Sequence, residues 1–251
     1  MVIVGIDCAT VATRTGLSLA EYTNGVLIIK ECQLGSKESS IAQQILPWVR
    51  QAELAVLALD SPLGWPAAMG NALSRHNAGA PVGIGSNDLF RRRTDEVVRN
   101  TIGKNPLEVG ADRIARTAVS ALSTIDELAL LCDRKVALAW TETLGSGIYS
   151  IEVYPAGTLR SYEGGAPAEG DTVSRKKALL RQLVNEGRLS LYPGPAKAID
   201  NEHVMDSMFC TIAAMDFLEG QVIYPKSDEE TRARKEGWIW VRSPKPQIRE
   251  E

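Results

Sequence analysis

Two short, continuously apolar runs of the chain each end at an aspartate. The first run begins at Val2 and reaches Asp7, and the second, LAVLAL, covers 54–59 and precedes Asp60. Continuous apolarity over so few residues is typical of a strand that is buried on both faces, as in a parallel sheet. Ligands collect at the carboxyl ends of such strands, and neighbouring strands lie about 4.8 Å apart. The pattern therefore predicts that Asp7 and Asp60 lie together at one edge of a sheet.

The segment between these two runs predicts two antiparallel strands and a helix. Apolar residues over 13–22 are followed at once by Asn24-Gly25, the strongest short-range sequence signal of a β-hairpin. The chain then returns over 26–34, so that it opens with three antiparallel strands. Ser36 is the predicted N-cap of the helix that follows.

The later segments predict further helices and one more strand. Residues 64–110 show no regular period, which is typical of a functional insertion or a cap in a domain of this size. A long amphipathic helix is predicted over 111–132, a strand over 148–155, and two more helices over 174–187 and 200–220. We therefore interpret residues 1–251 as a single α/β domain.

Two further carboxylates fall on these predicted elements. Asp206 lies in line with Cys210 and Phe217 on the last helix, and an acid on an apolar stripe points inward or toward the edge of a cleft. Glu152 lies on the strand over 148–155, on the less apolar side. A cluster of acids is the donor set that Mg²⁺ or Mn²⁺ prefers.

Composition and charge limit the classes of protein to be considered. The four cysteines are scattered without paired spacing, which argues against a zinc site and against a disulfide framework. No segment approaches the roughly 18 uninterrupted apolar residues of a membrane span, so we expect a cytoplasmic protein without a membrane partner. The net charge of -3 gives no global attraction to nucleic acid, so such a partner would need a local basic patch.

The densest local positive charge is the run from Arg91 to Arg93. The planar guanidinium groups of Arg91, Arg92 and Arg93 suit phosphate oxygens, which predicts substrate binding; the alternative is an ordinary solvated run. Asp95 follows closely and is either a metal ligand or a salt-bridge partner of one of these arginines.

Five short motifs resemble domain-of-unknown-function family 429, a family of predicted ribonuclease-H-like nucleases. They are GIDCA at 5–9, DSPLGWP at 60–66, RRRTD at 91–95, EVYP at 152–155 and HVMDSMFCTIAA at 203–214. The resemblance implies a ribonuclease-H-like mixed sheet, in which three antiparallel strands precede parallel strands and helices flank the sheet. It also implies a two-metal phosphodiesterase with Asp7, Asp60 and Asp206 as catalytic metal ligands, completed by Glu152 or Asp95. Two hard cations about 3.5 to 4 Å apart would stabilise the attacking and leaving oxygens.

Each predicted site residue has a structural alternative. Asp7 would simply start a turn, Asp60 would cap a helix, Asp206 would be an exposed acid or pair with His203, and Glu152 would be solvated. The predicted function is a metal-dependent nuclease that acts on nucleic acid or on a nucleotide-like phosphodiester. The alternatives are an ATP-binding phosphotransferase of the sugar-kinase and actin kind, and a nonenzymatic binding module on the same fold.

Overall fold

The computed structural model describes residues 1–110, 112–165 and 169–244, and within them the chain forms one sheet of seven strands flanked by helices. The strands are β1 (Val2–Asp7), β2 (Gly16–Thr23), β3 (Val26–Leu34), β4 (Leu54–Leu59), β5 (Val136–Leu138), β6 (Gly147–Glu152) and β7 (Leu189–Leu191). The helices are α1 (Ile41–Val49), α2 (Ala67–Leu73), α3 (Ser86–Phe90), α4 (Arg93–Ile102), α5 (Asp112–Cys132), α6 (Pro155–Tyr162), α7 (Thr172–Asn185), α8 (Pro193–Ala198), α9 (Glu202–Leu218) and α10 (Glu230–Glu236).

The sheet is mixed, as predicted. Its order is β5-β6-β4-β1-β2-β3-β7. The pairs β1–β2 and β2–β3 are antiparallel, whereas β1–β4, β4–β6, β5–β6 and β3–β7 are parallel. The opening meander turns at Asn24 and Gly25, whose φ angles are 51° and 78°, because a tight hairpin needs positive φ at both positions.

The two faces of the sheet carry separate hydrophobic cores. Side chains alternate along a strand, so Ile3 of β1 and Ala58 of β4 pack in the core that contains α9. Ile6 and Leu59 pack in the opposite core, against α1 and α5. Helix α9 is buried over most of its length and covers β1 and β2.

Several helices begin at a different residue from the predicted one, two of them because another side chain caps the helix. Helix α1 begins after Ser40 rather than Ser36, because Ser40 and Gln43 form a reciprocal capping box. Helix α7 begins after Asp171 rather than Ser174, and the Asp171 carboxylate accepts the backbone N–H of Ser174.

Other differences concern short elements. The strand predicted over 148–155 ends at Glu152, and Pro155 instead begins α6, because proline suits the first helical turn. The three-residue strands β5 and β7 carry too few residues for a recognisable period. The segment over 64–110, predicted as an insertion or cap, contains the short helices α2, α3 and α4. No helix among the described residues is both long and apolar enough to span a membrane.

Candidate functional site

Asp7 and Asp60 lie at the carboxyl ends of two adjacent parallel strands. Ile6 and Leu59 are in register, and the backbone N–H of Asp60 donates to the carbonyl of Ile6 at 2.9 Å, so the pairing extends past the end of β4. Alternation places both aspartates on the face of the sheet that α9 covers, since Ala58 packs in the α9 core. The structure thus brings the two predicted residues together.

Helix α9 lies directly on the backbone of β1 and β2 because glycines face it. A Cβ atom at Gly5 would stand 2.0 Å from the carbonyl oxygen of Ser207, and one at Gly16 would stand 1.9 Å from that of His203. A hydrogen bond of 2.6 Å between the hydroxyls of Ser18 and Ser207 joins the same surfaces. This close contact brings the first turns of α9 to the strand ends.

Helix α9 contributes two side chains to the strand ends. Nδ1 of His203 lies 2.7 Å from Oδ2 of Asp7, in hydrogen-bond contact. Asp206 accepts a hydrogen bond from the ammonium group of Lys176, on α7. The alternative in which Asp206 pairs with His203 is therefore wrong, because the two side chains contact different partners. We call Asp7, Asp60, Asp206 and Lys176 the acid cluster.

The carboxylate of Asp60 has neither a hydrogen-bond nor an ion-pair partner within the described residues. Burial, followed by the negative charges of Asp7, Asp206 and Glu152, raises the pKa of Asp60 well above its ordinary value. Asp60 is half-buried, and a carboxylate without a partner in such a place is costly, so a proton or a positive charge would stabilise it.

The other two aspartates are only partly compensated. Burial raises the pKa of Asp7 to about 6, although the hydrogen bond to His203 opposes the shift. Burial also raises the pKa of Asp206, and the charge of Lys176 lowers it. The three carboxylates therefore form a strongly negative site that its two basic neighbours do not fully balance.

The sequence reasoning missed Lys176, although the chain carries a signal for it. The side chains that α7 buries are Lys176, Leu179, Leu180 and Leu183. This spacing of i, i+3, i+4 and i+7 marks a single helix face. A lysine on an apolar stripe needs a buried anion, just as the acid on the stripe of α9 needs a cation.

Glu152 lies at the end of β6, and its side chain points to the face of the sheet opposite α9. Its register partner is Leu59, which packs in the core opposite α9. Both oxygens of Glu152 are bound by Arg92, at 2.6 and 2.8 Å, and one also accepts the backbone N–H of Leu63 at 3.0 Å. Glu152 is therefore a buried counter-ion of Arg92, and both side chains line the same cavity as Asp60.

The three predicted phosphate-binding arginines already have carboxylate partners. Arg92 is 1% exposed and bonds Asp95 as well as Glu152, which agrees with the salt-bridge alternative for Asp95. The other pairs are Arg91 with Glu108, and Arg93 with Glu96 and Glu229. Because Arg92 is buried, it does not belong to a solvated run.

A cavity of about 180 Å³ opens beside Asp60. Its walls combine apolar side chains, among them Leu107, Ile114 and Val153, with the polar groups of Asp60 and Tyr154. The Tyr154 hydroxyl donates to the carbonyl of Asn105 at 3.0 Å, so residues from the 64–110 segment close one side. The cavity leaves room for a small group of a ligand next to the unpartnered carboxylate.

The acid cluster fits a hard divalent cation by its chemistry. Carboxylates are the preferred ligands of Mg²⁺ and Mn²⁺, and Asp60 has no ion-pair partner among the described residues. In the described ranges, no group of three or more His, Cys, Asp or Glu side chains is arranged to hold a metal ion. Mg²⁺ usually keeps several waters and binds one or two carboxylates, so the neighbouring pair Asp7 and Asp60 is sufficient in number.

Comparison with known proteins agrees with the resemblance seen in the motifs. A family model described as "Protein of unknown function (DUF429)" matches residues 5–230, which is most of the chain. No curated protein matches the sequence.

Proposed function

The chain belongs to the DUF429 family, which is described only as being of unknown function, and we propose that it is a divalent-cation-dependent nuclease. Its substrate would be nucleic acid or a nucleotide-like phosphodiester, and its cofactor Mg²⁺ or Mn²⁺. The acid cluster would carry the reaction.

The topology supports a ribonuclease-H-like domain as the frame of this site. Three antiparallel strands lead into parallel β4, which lies beside β1, and the late helix α9 carries an acid. This is the order in which the resemblance places its three carboxylates: first strand, fourth strand and late helix. The proposal therefore uses Asp7, Asp60 and Asp206 in those places.

The observation that carries the proposal is the unpartnered carboxylate of Asp60 beside Asp7. Two half-buried acids at adjacent strand ends repel each other unless a cation or a proton lies between them. A structural pair of acids would be expected to have hydrogen-bond donors around both members, and Asp60 has none among the described residues. A cation-binding site would account both for the two adjacent acids and for the absence of donors around Asp60.

The roles of the side chains follow from their contacts. Asp7 and Asp60 would hold the cation, which supplies Lewis-acid stabilisation of the phosphodiester and of the attacking water. His203 orients Asp7 through the 2.7 Å contact, and Lys176 fixes Asp206. The cavity beside Asp60 would receive part of the substrate, and its apolar walls would limit the access of bulk water.

The proposal is tested by hydrolysis of bis-p-nitrophenyl phosphate and of fluorescently labelled single- and double-stranded DNA and RNA. We expect cleavage with Mn²⁺ or Mg²⁺ and none in EDTA. Asp60→Asn should abolish it, whereas the matched control Asp88→Asn, at an exposed position on α3, should leave it unchanged. Equal cleavage by the Asp60→Asn variant would overturn the proposal, and tight ATP binding without cleavage would favour the phosphotransferase alternative.

A further inference from the structure

Lys176 is a buried ammonium group held at one place within the acid cluster. Its residue is 3% exposed, its Nζ donates to Asp206, and it lies 5.9 Å from the centre of the Phe209 ring. The three leucines of the α7 stripe fix the helix face that carries it. A lysine in this position is a permanent part of the site and not a surface side chain that happens to reach it.

The charge of Lys176 reaches all three carboxylates. Burial is the largest influence on Asp7, Asp60 and Asp206 and raises the pKa of each. Lys176 acts against it and lowers the pKa at all three positions. The ammonium group therefore does electrostatically what a metal ion in the cluster would do.

The charges of the cluster leave room for one divalent cation. Cation binding requires deprotonated ligands, so the cluster that binds a cation carries up to three negative charges, and Lys176 cancels one of them. The two charges that remain equal those of one Mg²⁺ or Mn²⁺. A second divalent cation would make the site positive before substrate arrives, and it would compete with the ammonium group for Asp206.

We propose that this protein binds a single divalent cation, at Asp7 and Asp60, and that Lys176 supplies the second positive charge at Asp206. This inference rests on the proposed function, and it changes the two-metal arrangement that the resemblance implies. Lys176 is a positioning residue, because it is buried and acts through Asp206. The substrate phosphodiester would thus meet one metal ion and one carboxylate already neutralised by the chain.

Counting bound cations tests the inference without an activity assay. Mn²⁺ is titrated into the full-length protein and the free ion is measured by electron paramagnetic resonance. We expect one Mn²⁺ per chain for the wild type and for Lys176→Arg, which keeps the charge. Lys176→Met removes the ammonium group and frees Asp206, so this variant should bind a second Mn²⁺. The matched control is Lys177→Met, which removes the neighbouring, half-exposed lysine that pairs with Asp200, and it should bind one.

The outcomes separate this inference from the proposed function. Two Mn²⁺ per wild-type chain would overturn the single-cation inference and leave the nuclease proposal standing, and this count does not depend on any variant folding. One Mn²⁺ in a Lys176→Met variant whose circular dichroism matches the wild type would overturn the role of Lys176. No bound Mn²⁺ in any of the four proteins would overturn the cation-dependent function itself.

Discussion

The guanidinium group of Arg92 meets the carboxylate of Glu152 through two parallel hydrogen bonds, Nη2 to Oε1 at 2.6 Å and Nη1 to Oε2 at 2.8 Å. Both side chains are buried, and their residues stand 60 positions apart in the chain. The pair joins the start of α4 to the end of β6. It therefore holds the 64–110 segment against the sheet edge, where both side chains line the same cavity as Asp60.

Loss of this pair should destabilise the protein. Glu152→Gln leaves the buried Arg92 with Asp95 as its remaining carboxylate partner, and breaking a buried ion pair costs about 3 kcal/mol or more. We expect the free energy of unfolding in urea to fall by this order, with Mn²⁺ binding retained in the folded protein. Glu108→Gln, which removes the more exposed partner of Arg91, should cost less than about 1 kcal/mol. Unchanged stability with loss of Mn²⁺ binding would instead make Glu152 a ligand.

Asp60→Asn should stabilise the metal-free protein while it removes the cation site. The amide is uncharged, so at neutral pH it avoids the cost of a half-buried carboxylate without a partner, on the order of 1 kcal/mol. Urea unfolding in EDTA should show this gain. Mn²⁺ at about 100 times its Kd should stabilise the wild type by about 2.7 kcal/mol and the variant hardly at all. A less stable variant in EDTA would mean that Asp60 has a structural role.

Asp216 should make stability fall between about pH 4 and pH 6. Burial raises its pKa to about 6 in the folded protein, although Arg242 and the Tyr162 hydroxyl contact it. The unfolded chain releases the proton near pH 4 and the folded protein only near pH 6. Between these values the folded state binds more protons, so raising the pH lowers the free energy of unfolding, by about 3 kcal/mol in all.

The measurement is urea unfolding in EDTA at a series of pH values. Asp216→Asn should show a shallower slope than the wild type over this window. A residual slope is expected, because burial also raises the pKa of Asp7 to about 6. Identical slopes for Asp216→Asn and the wild type would show that Asp216 does not cause this pH dependence of stability.

Gly5→Ala should disturb the contact between β1 and α9. The added Cβ would meet the Ser207 carbonyl at 2.0 Å and the Thr211 methyl at 2.8 Å, and the first of these is backbone that cannot rotate away. We expect a loss of about 3 kcal/mol or more in the free energy of unfolding, with weaker Mn²⁺ binding because α9 is displaced. Gly70→Ala is the control, since its Cβ would lie in open space on α2, and it should stabilise by up to about 1 kcal/mol. Wild-type stability and Mn²⁺ affinity in Gly5→Ala would show that α9 does not pack directly against β1 at Gly5.

The positions of the acids at the strand ends could be predicted, because each acid directly follows the apolar residues that indicate a buried strand. Asp7 and Asp60 each follow an apolar run, and the stripe of α9 pointed Asp206 inward. Lys176 carried the same kind of signal on α7, and it would have been found by asking which charged residues interrupt an apolar stripe. The start of α1 was predicted less well, because Ser36 and Ser40 are both suitable N-cap residues and the helix begins after Ser40.

The ion pairs of the arginine run could not be predicted in the same way. The contact of Arg92 with Glu152 joins segments whose approach depends on the whole fold, and no local period encodes it. The face that Glu152 occupies follows from its register with Leu59, which is known only once β4 and β6 are paired. The short strands β5 and β7 form because each pairs with a longer neighbouring strand. Three residues are too few to show the hydrophobic pattern of a strand, so neither could be predicted.

The alternation that places Asp7 and Asp60 on the α9 face has a consequence for how this family can vary in length. Inserting or deleting one residue within β1 or β4 would turn the terminal aspartate toward α1 and α5, away from Asp206. A change of two residues would restore the facing and only shift the strand end. We therefore expect relatives that keep the acid cluster to differ in these strands by even numbers of residues, while their loops vary freely.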